Sequence, residues 1–194
     1  MFKHMAEGIA LLLIRSNTVD IEEREVYVFG LEVMLLNSIN VLMALIISLI
    51  TGTMWHFASF VLIFVPLRIF SGGYHAKRSE TCFVISTLVY IATVLVVKLY
   101  PMLYASTAVT AVLFAASILI TVILAPVVNK NNPLSEHERK RNRLISIVLI
   151  AVDSVIFIML RLLELSVAVN VMIFLTVNSI TMLAGVSKEK LDNE

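Results

Sequence analysis

The single cysteine of the chain follows a histidine closely, and these two side-chain types can act as a nucleophile and its base. The chain has 194 residues and one cysteine, Cys82, with His75 seven positions before it. A histidine can take the proton from a thiol and later donate a proton to a leaving amine. On one unbroken helix the two residues would lie about 10 Å apart along the axis. A working pair therefore requires a break, which Gly72 and Gly73 with a helix restart near Ser79 would supply.

The residues around the cysteine favour its thiolate form. Ser79 is a suitable N-cap, which places Cys82 in the first turn of the next helix. Free backbone N–H groups and the positive helix end stabilise a thiolate there. Lys77 and Arg78 act in the same direction, and Glu80 acts against it. The chemistry that fits this arrangement best is attack of a cysteine on an amide.

A structural interpretation of the same residues remains open at this point. A lone cysteine that enters an apolar helix is most often a small buried residue, and Cys82 has no partner for a disulfide within the chain. An arginine near a membrane end, such as Arg68, most often reaches to the phosphate headgroups. Spacing alone therefore indicates only a candidate thiol site.

The composition points to a membrane protein. Hydrophobic residues make up 59% of the chain and charged residues 15%, with a mean hydropathy of +0.95, whereas soluble domains have about 25% charged residues. These values argue against a soluble enzyme, a disordered chain and a disulfide scaffold. The net charge of +1 gives no support for nucleic-acid binding.

The apolar segments predict an all-α polytopic membrane protein with about six transmembrane helices. A span needs about 20 mostly apolar residues. The second segment is short and ends near Pro66 and Arg68, so it either crosses the membrane or re-enters. The six segments are 33–50, 54–70, 83–98, 102–128, 144–163 and 165–186.

The N-terminal residues predict an amphipathic helix at the membrane interface before the first span. Apolar residues recur there at helical spacing, with polar residues on the other side. We expect one integral membrane domain over residues 1–194. It comprises interfacial helices over 1–30, a transmembrane bundle over 31–186 and a cytoplasmic tail over 187–194.

The distribution of basic residues predicts the orientation. With six spans and a cytoplasmic N-terminus, 13 of the 15 Lys and Arg residues lie on the cytoplasmic side, as the positive-inside rule requires. Both termini and the candidate thiol site are then cytoplasmic.

Polar residues inside the spans require an explanation, because burying them in a membrane is costly. Asp153 pairs with a basic residue, lines a wet cavity or orients His75; the sequence does not decide among these. We expect His56 to lie at the interface beside Trp55. We expect four asparagines to form hydrogen bonds between helices: Asn37, Asn40, Asn170 and Asn178.

Two motifs resemble the accessory gene regulator B (AgrB) family, over nearly the whole chain. The first is Arg68-x-x-x-Gly72-Gly73-x-His75-Ala76, followed by Cys82 at the start of a span. The second begins at Ala125-Pro126, and its further members are Asn129, Asn132, Pro133, Glu136, Glu138 and the basic run Arg139-Lys140-Arg141.

The resemblance implies a cysteine endopeptidase of bacterial quorum sensing, located in the bacterial cell membrane. Its substrate would be a short precursor peptide with an amphipathic leader, a central signal segment and an acidic tail. The enzyme would remove the tail and promote closure of a ring, usually a thiolactone. The family's nucleophile falls on Cys82 and its histidine on His75.

The remaining motif positions support the site or bind substrate. Arg68, Gly72 and Gly73 match the motif, and the basic pair Lys77 and Arg78 would attract either an acidic peptide tail or anionic lipid. We expect a homodimer and predict no cofactor and no metal. The alternatives are a small transporter or peptide-export component, in which Asp153 and the asparagines line a path, and a scaffold that presents the peptide to another protease.

Overall fold

The computed structural model describes residues 2–16, 20–74, 79–99, 107–128 and 134–191, and its regular structure there is helical. The helices are α1 (Phe2–Arg15), α2 (Arg24–Thr51), α3 (Met54–Ser59), α4 (Val65–Ser71), α5 (Ser79–Leu99), α6 (Thr107–Leu124), α7 (Glu136–Leu162) and α8 (Ala168–Leu191). A 3₁₀ turn, Ile21–Glu23, precedes α2, and a π-helical turn, Phe60–Phe64, joins α3 to α4.

The helices confirm an all-α polytopic membrane protein. In the described residues, five helical segments are long and apolar enough to cross a membrane, and a shorter apolar helix covers Ala108–Leu124. The weak second segment is helical over all of Met54–Ser71, a length of 18 residues. The five segments are Ile21–Thr51, Met54–Ser71, Glu80–Leu99, Glu136–Leu162 and Ala168–Glu189.

The second span has a π-helical turn, which is wider than an α-helical turn, just before its proline. Pro66 occupies the start of α4, directly after the π turn Phe60–Phe64. A proline in a helix lacks the N–H group, and its ring crowds the carbonyl four residues earlier. That carbonyl belongs to Leu62, inside the π turn. The wide turn lets the span continue as a helix to Ser71 instead of stopping at the proline.

The chain forms two compact units, and the first comprises Met1–Ile47 and Ala76–Tyr90. In it, Ala6 and Ala10 of α1 are fully buried and pack with Val28 of α2. Small residues one turn apart allow two helices to approach closely. Three larger apolar side chains of α1 stay exposed: Met5, Leu11 and Leu12. The predicted N-terminal helix is confirmed, and the structure adds the alanine face that packs on α2.

The second unit comprises Ser48–His75 and Ile91–Glu194, and its core is built around α8. Side chains from the second span and α7 join this core; Leu67 and Phe157 are examples. A helix that is apolar on all sides is typical of the interior of a bundle. Five consecutive residues of α8 are buried: Val171, Met172, Ile173, Phe174 and Leu175.

A capping box fixes where α7 begins. The Ser135 hydroxyl accepts a hydrogen bond from the Glu138 backbone N–H at 3.3 Å. The Glu138 carboxylate accepts one from the Ser135 backbone N–H at 2.9 Å. Each side chain thus satisfies a backbone donor that the first helical turn leaves without a partner.

The expectation that His56 and Trp55 form an interfacial pair is wrong, because His56 is buried within the protein. Trp55 is 72% exposed, but His56 is only 1% exposed. Its ring packs on Phe174 with centroids 4.6 Å apart. Its Nδ1 lies 3.2 Å from Asn170 Oδ1 and its Nε2 lies 2.9 Å from Thr93 Oγ1. Consecutive helical residues point about 100° apart, so Trp55 faces outward and His56 inward.

The hydrogen bonds of His56 connect three helices and fix its tautomer. The Asn170 oxygen can only accept, so Nδ1 carries the proton and Nε2 accepts from the Thr93 hydroxyl. The prediction that Asn170 forms an interhelical hydrogen bond is confirmed. The second span, α5 and α8 are joined by this one side chain.

We expect His56→Ala to destabilise the protein far more than Trp55→Ala. Loss of the imidazole removes the hydrogen bond to the buried Asn170 oxygen, and an unsatisfied buried group costs about 1–3 kcal/mol. The loss also leaves a cavity beside Phe174. Thermal unfolding of the detergent-solubilised protein measures the difference. Equal shifts in the two variants would contradict the assignment of His56 to the core.

Candidate functional site

The two glycines of the first motif end the second span, as predicted. Gly72 has φ 69° and Gly73 has φ 133°, values that side chains disfavour and glycine tolerates. A Cβ at Gly72 would overlap the carbonyl oxygen of Val127. We call residues Gly72, Gly73 and Tyr74 the glycine segment. Two constraints therefore favour a glycine at position 72: the positive φ, and the Val127 carbonyl oxygen, which leaves no room for a side chain.

The glycine segment is held between the loop after α6 and helix α8. The Val127 N–H donates to the Ser71 carbonyl at 2.9 Å, and the Tyr74 N–H donates to the Thr181 carbonyl at 2.8 Å. Gly72 and Val127 also pair as an isolated parallel β-bridge. The two motifs of the sequence are therefore in direct contact through residue 127.

Arg68 binds the backbone of the glycine segment. Its Nη1 donates to the Gly72 carbonyl and its Nη2 donates to the Tyr74 carbonyl. A planar guanidinium presents several donors in a fixed fork, which suits two neighbouring oxygens. The sequence left a role in the site and a structural role equally open. In the structure Arg68 lies one helical turn before the glycine segment, and its guanidinium binds the backbone of that segment.

A buried polar pair ties the end of α4 to α8. The Ser71 hydroxyl donates to Asn178 Oδ1 at 3.2 Å, and Asn178 Nδ2 lies 3.5 Å from the sulfur of Met182. Ser71 and Asn178 are both fully buried. The predicted interhelical role of Asn178 is confirmed, and its partner is the residue directly before the glycines.

A basic side chain of α8 covers the last residue of the glycine segment. Lys188 Nζ lies 4.9 Å from the centroid of the Tyr74 ring, within the range of a cation–π interaction. Tyr74 is thus held by its N–H, its carbonyl and its ring.

Cys82 lies where the sequence predicts it. Helix α5 begins at Ser79, so Cys82 is in its first turn. The thiol is free and half-buried. Cys82 belongs to the first compact unit, and Arg68, Gly72 and Gly73 belong to the second.

Three predicted site residues lie outside the described residues: His75, Lys77 and Arg78. The pairing of His75 with Cys82 accordingly stays a prediction. The structure brings Arg68, Gly72 and Gly73 together, and it places Cys82 at the start of α5.

Asp153 is buried in the second unit. Its Oδ2 has no hydrogen-bond partner in the part of the chain that the structure describes. Ile150 and Phe157, one turn away on either side of Asp153, belong to the apolar core. Of the three alternatives for Asp153, pairing with a basic residue is not found among the described residues.

Three contact residues were missed by the sequence interpretation: Val127, Thr181 and Gly185. Val127 and Thr181 act through backbone atoms, which carry no side-chain signal. Gly185 offered a weak signal, because a small residue on a membrane helix allows another backbone to approach closely. A Cβ there would lie 2.7 Å from the Gly73 carbonyl carbon.

We expect Arg68→Lys to loosen the glycine segment while leaving the helices folded. A lysine cannot reproduce the fork, and hydrogen bonds to charged groups contribute about 1.5–3 kcal/mol each. Hydrogen exchange of the Tyr74 amide should accelerate by roughly tenfold or more, since about 1.4 kcal/mol corresponds to a factor of ten. Arg139→Lys, at an exposed position of α7, is the control and should leave that rate unchanged. An unaltered Tyr74 exchange rate in Arg68→Lys would show that the fork does not hold the segment.

Comparison with known proteins agrees with the motifs. The family model described as Accessory gene regulator B matches residues 6–184. A protein of Halalkalibacterium halodurans described as AgrB-like is 32% identical over 88 residues, covering 43% of this chain and 45% of that protein. That match spans less than half the length of the relative. No solved structure matches the chain. Because the family model covers almost all of its length, the chain belongs to the accessory gene regulator B family.

Proposed function

We propose that this protein is a membrane-embedded cysteine endopeptidase that removes the tail of a short quorum-sensing precursor peptide and promotes its cyclisation. The observation that carries the proposal is the free, half-buried thiol of Cys82 in the first turn of an apolar helix. Membership of the accessory gene regulator B family supports the quorum-sensing role. A helix N-terminus stabilises the thiolate that such a reaction needs.

In the proposed reaction, His75 takes the proton of the Cys82 thiol, and the thiolate attacks the carbonyl carbon of the scissile amide. The C–N bond breaks, His75 gives that proton to the amine of the departing tail, and the peptide remains on Cys82 as a thioester. A cysteine thiol within the peptide then loses its proton to His75 and attacks this thioester. A ring thioester forms, the bond to the Cys82 sulfur breaks, and Cys82 takes the proton back from His75.

Water competes with ring closure. Attack by water on the acyl-enzyme would give a linear peptide acid, whereas attack by the internal thiol exchanges one thioester for another at little free-energy cost. Cyclisation therefore requires that water be kept out and that the internal thiol be held close. A site at the end of an apolar helix bundle suits both requirements.

The remaining residues of the motif have supporting roles in this proposal. Arg68, Gly72 and Gly73 give the chain before His75 a fixed end. Lys77 and Arg78 contribute positive charge on the cytoplasmic side, where the positive-inside rule places the site.

The hydrogen bonds of the asparagines disfavour the transporter alternative. That alternative assigns Asp153 and the membrane asparagines to a path for substrate. Asn170 instead contacts His56, and Asn178 contacts Ser71. Both side chains are engaged in holding helices together.

We expect His75→Ala to slow alkylation of Cys82 at neutral pH by about tenfold or more, because the thiol then lacks the base that removes its proton. The chain has one cysteine, so a maleimide reports on Cys82 alone and no substrate is needed. His4→Ala is the matched control, since His4 is 85% exposed and pairs with Glu7 in α1. Equal alkylation rates in the wild type and both variants would contradict the proposed pair.

We expect the purified protein in lipid to cleave a synthetic peptide with an amphipathic leader, one central cysteine and an acidic tail. Mass spectrometry should detect the cyclic thioester, and replacing the peptide's cysteine by alanine should leave only the linear product. Cys82→Ser should abolish cleavage of either peptide.

One further variant separates the protease from the transporter. Asp153→Asn keeps the size of a side chain that has an unpartnered oxygen among the described residues, so cleavage should persist. Loss of peptide export in Asp153→Asn, together with normal peptide export in Cys82→Ser, would favour the transporter.

A further inference from the structure

Helix α8 has a gap in its surface at Gly185, and the backbone of the glycine segment fills it. A Cβ on Gly185 would lie 2.7 Å from the Gly73 carbonyl carbon and 2.9 Å from the Tyr74 nitrogen. Packed atoms in proteins do not approach this closely without displacement. Only a glycine leaves room for the chain at this point of α8.

We infer that Gly185 is a positioning residue for peptide cleavage: by lacking a side chain, it lets the Gly73–Tyr74 backbone pack on α8 and so fixes the point from which the chain continues into His75. The inference rests on the proposed function, since His75 is the base in that reaction. In this inference Gly185 acts through the backbone that precedes His75, which it contacts at Gly73 and Tyr74, and not by contact with the reacting atoms.

The glycine segment is already held by contacts with Arg68, Thr181 and Val127, which oppose its displacement by a larger residue at position 185. The Arg68 fork binds its carbonyls, and a Cβ on Gly73 would overlap Arg68 Nη1 and lie 3.0 Å from the Thr181 carbonyl oxygen. The Val127 backbone contacts Gly72. If a side chain at position 185 displaces the glycine segment, some of these contacts must break. The hydrogen bond from the Tyr74 N–H to the Thr181 carbonyl joins the segment to α8 itself and should be lost first.

The helix itself would tolerate alanine at this position. Gly185 has no positive φ and lies within α8, and alanine is a better helix former than glycine. A defect in Gly185→Ala would thus come from the displaced glycine segment and not from a weakened α8.

The chain offers a matched control. Gly30 is also a helical glycine, in α2, and a Cβ there would have no neighbouring atom within 4 Å. Gly30→Ala makes the same chemical change without displacing any backbone. Any general effect of the substitution on an apolar helix should appear in both variants.

The test combines peptide cleavage with hydrogen exchange in the lipid-embedded protein. The probe is the synthetic peptide with an amphipathic leader, one cysteine and an acidic tail. In Gly185→Ala we expect kcat per folded molecule to fall by about 100-fold, the loss typical of a catalytic group misplaced by about 1 Å, with KM within about twofold of the wild type. The Tyr74 amide should exchange at least about tenfold faster, and Gly30→Ala should match the wild type in both respects.

A purely structural role for Gly185 predicts a different result. The unfolding temperature and the amount of folded protein would fall, while kcat per folded molecule and Tyr74 exchange would stay at the wild-type values; that result overturns the inference. If Gly185→Ala does not fold, hydrogen exchange of the wild type still tests the packing on which the inference depends. A Tyr74 amide that exchanges as fast as one in an unstructured peptide refutes the packing, and strong protection supports it.

Failure of the proposed function is recognised separately. Cleavage that persists in Cys82→Ser, or is absent from the wild type, contradicts the protease and with it the catalytic role of Gly185. Loss of cleavage in Cys82→Ser together with full cleavage in Gly185→Ala contradicts the positioning role alone.

Discussion

The interaction on which the candidate site depends is the binding of the Arg68 guanidinium to the carbonyls of Gly72 and Tyr74. Backbone groups that are buried away from water must find partners within the protein, because an unpaired group costs free energy. The second span stops at Ser71. Arg68 and the hydrogen bond from Tyr74 to Thr181 supply partners to the residues that follow. Arg68, Gly72 and Gly73 of the first motif thus act together: the glycines allow the chain to leave the helix, and Arg68 binds the backbone carbonyls of the segment that follows.

Helix α8 is the element against which the other parts of the second unit are ordered. Asn170 binds His56, Asn178 binds Ser71, and Gly185 receives the backbone of residues 73–74. These three positions are spread along most of α8. The second span and the glycine segment that follows it therefore contact α8 over most of its length. The first two contacts are hydrogen bonds between polar side chains. The third is a close backbone approach that is possible because Gly185 has no side chain. Each contact fixes a register, which apolar packing alone specifies weakly.

Much of the fold was predictable because the membrane imposes a simple length and composition rule on each span. Gly72 and Gly73 predicted the end of a helix, and the position of Cys82 in the first turn of the next helix followed from the restart near Ser79. His56 was placed wrongly, since its neighbour Trp55 is typical of an interface and the two residues face opposite ways. Hydropathy gives the depth of a residue in the membrane, but it does not give the direction of its side chain.

The sequence by itself determined the class of the protein, the position of its thiol and the break before His75. These features depend on apolar length, on residue type and on the conformational freedom of glycine, all of which are local. Only the tertiary structure decided that Arg68 binds backbone carbonyls, that Val127 contacts Gly72, and that Gly185 leaves room for the chain beside Gly73. These contacts join residues distant in sequence, largely through backbone atoms. Every residue carries the same backbone groups, so side-chain identity alone does not reveal such contacts.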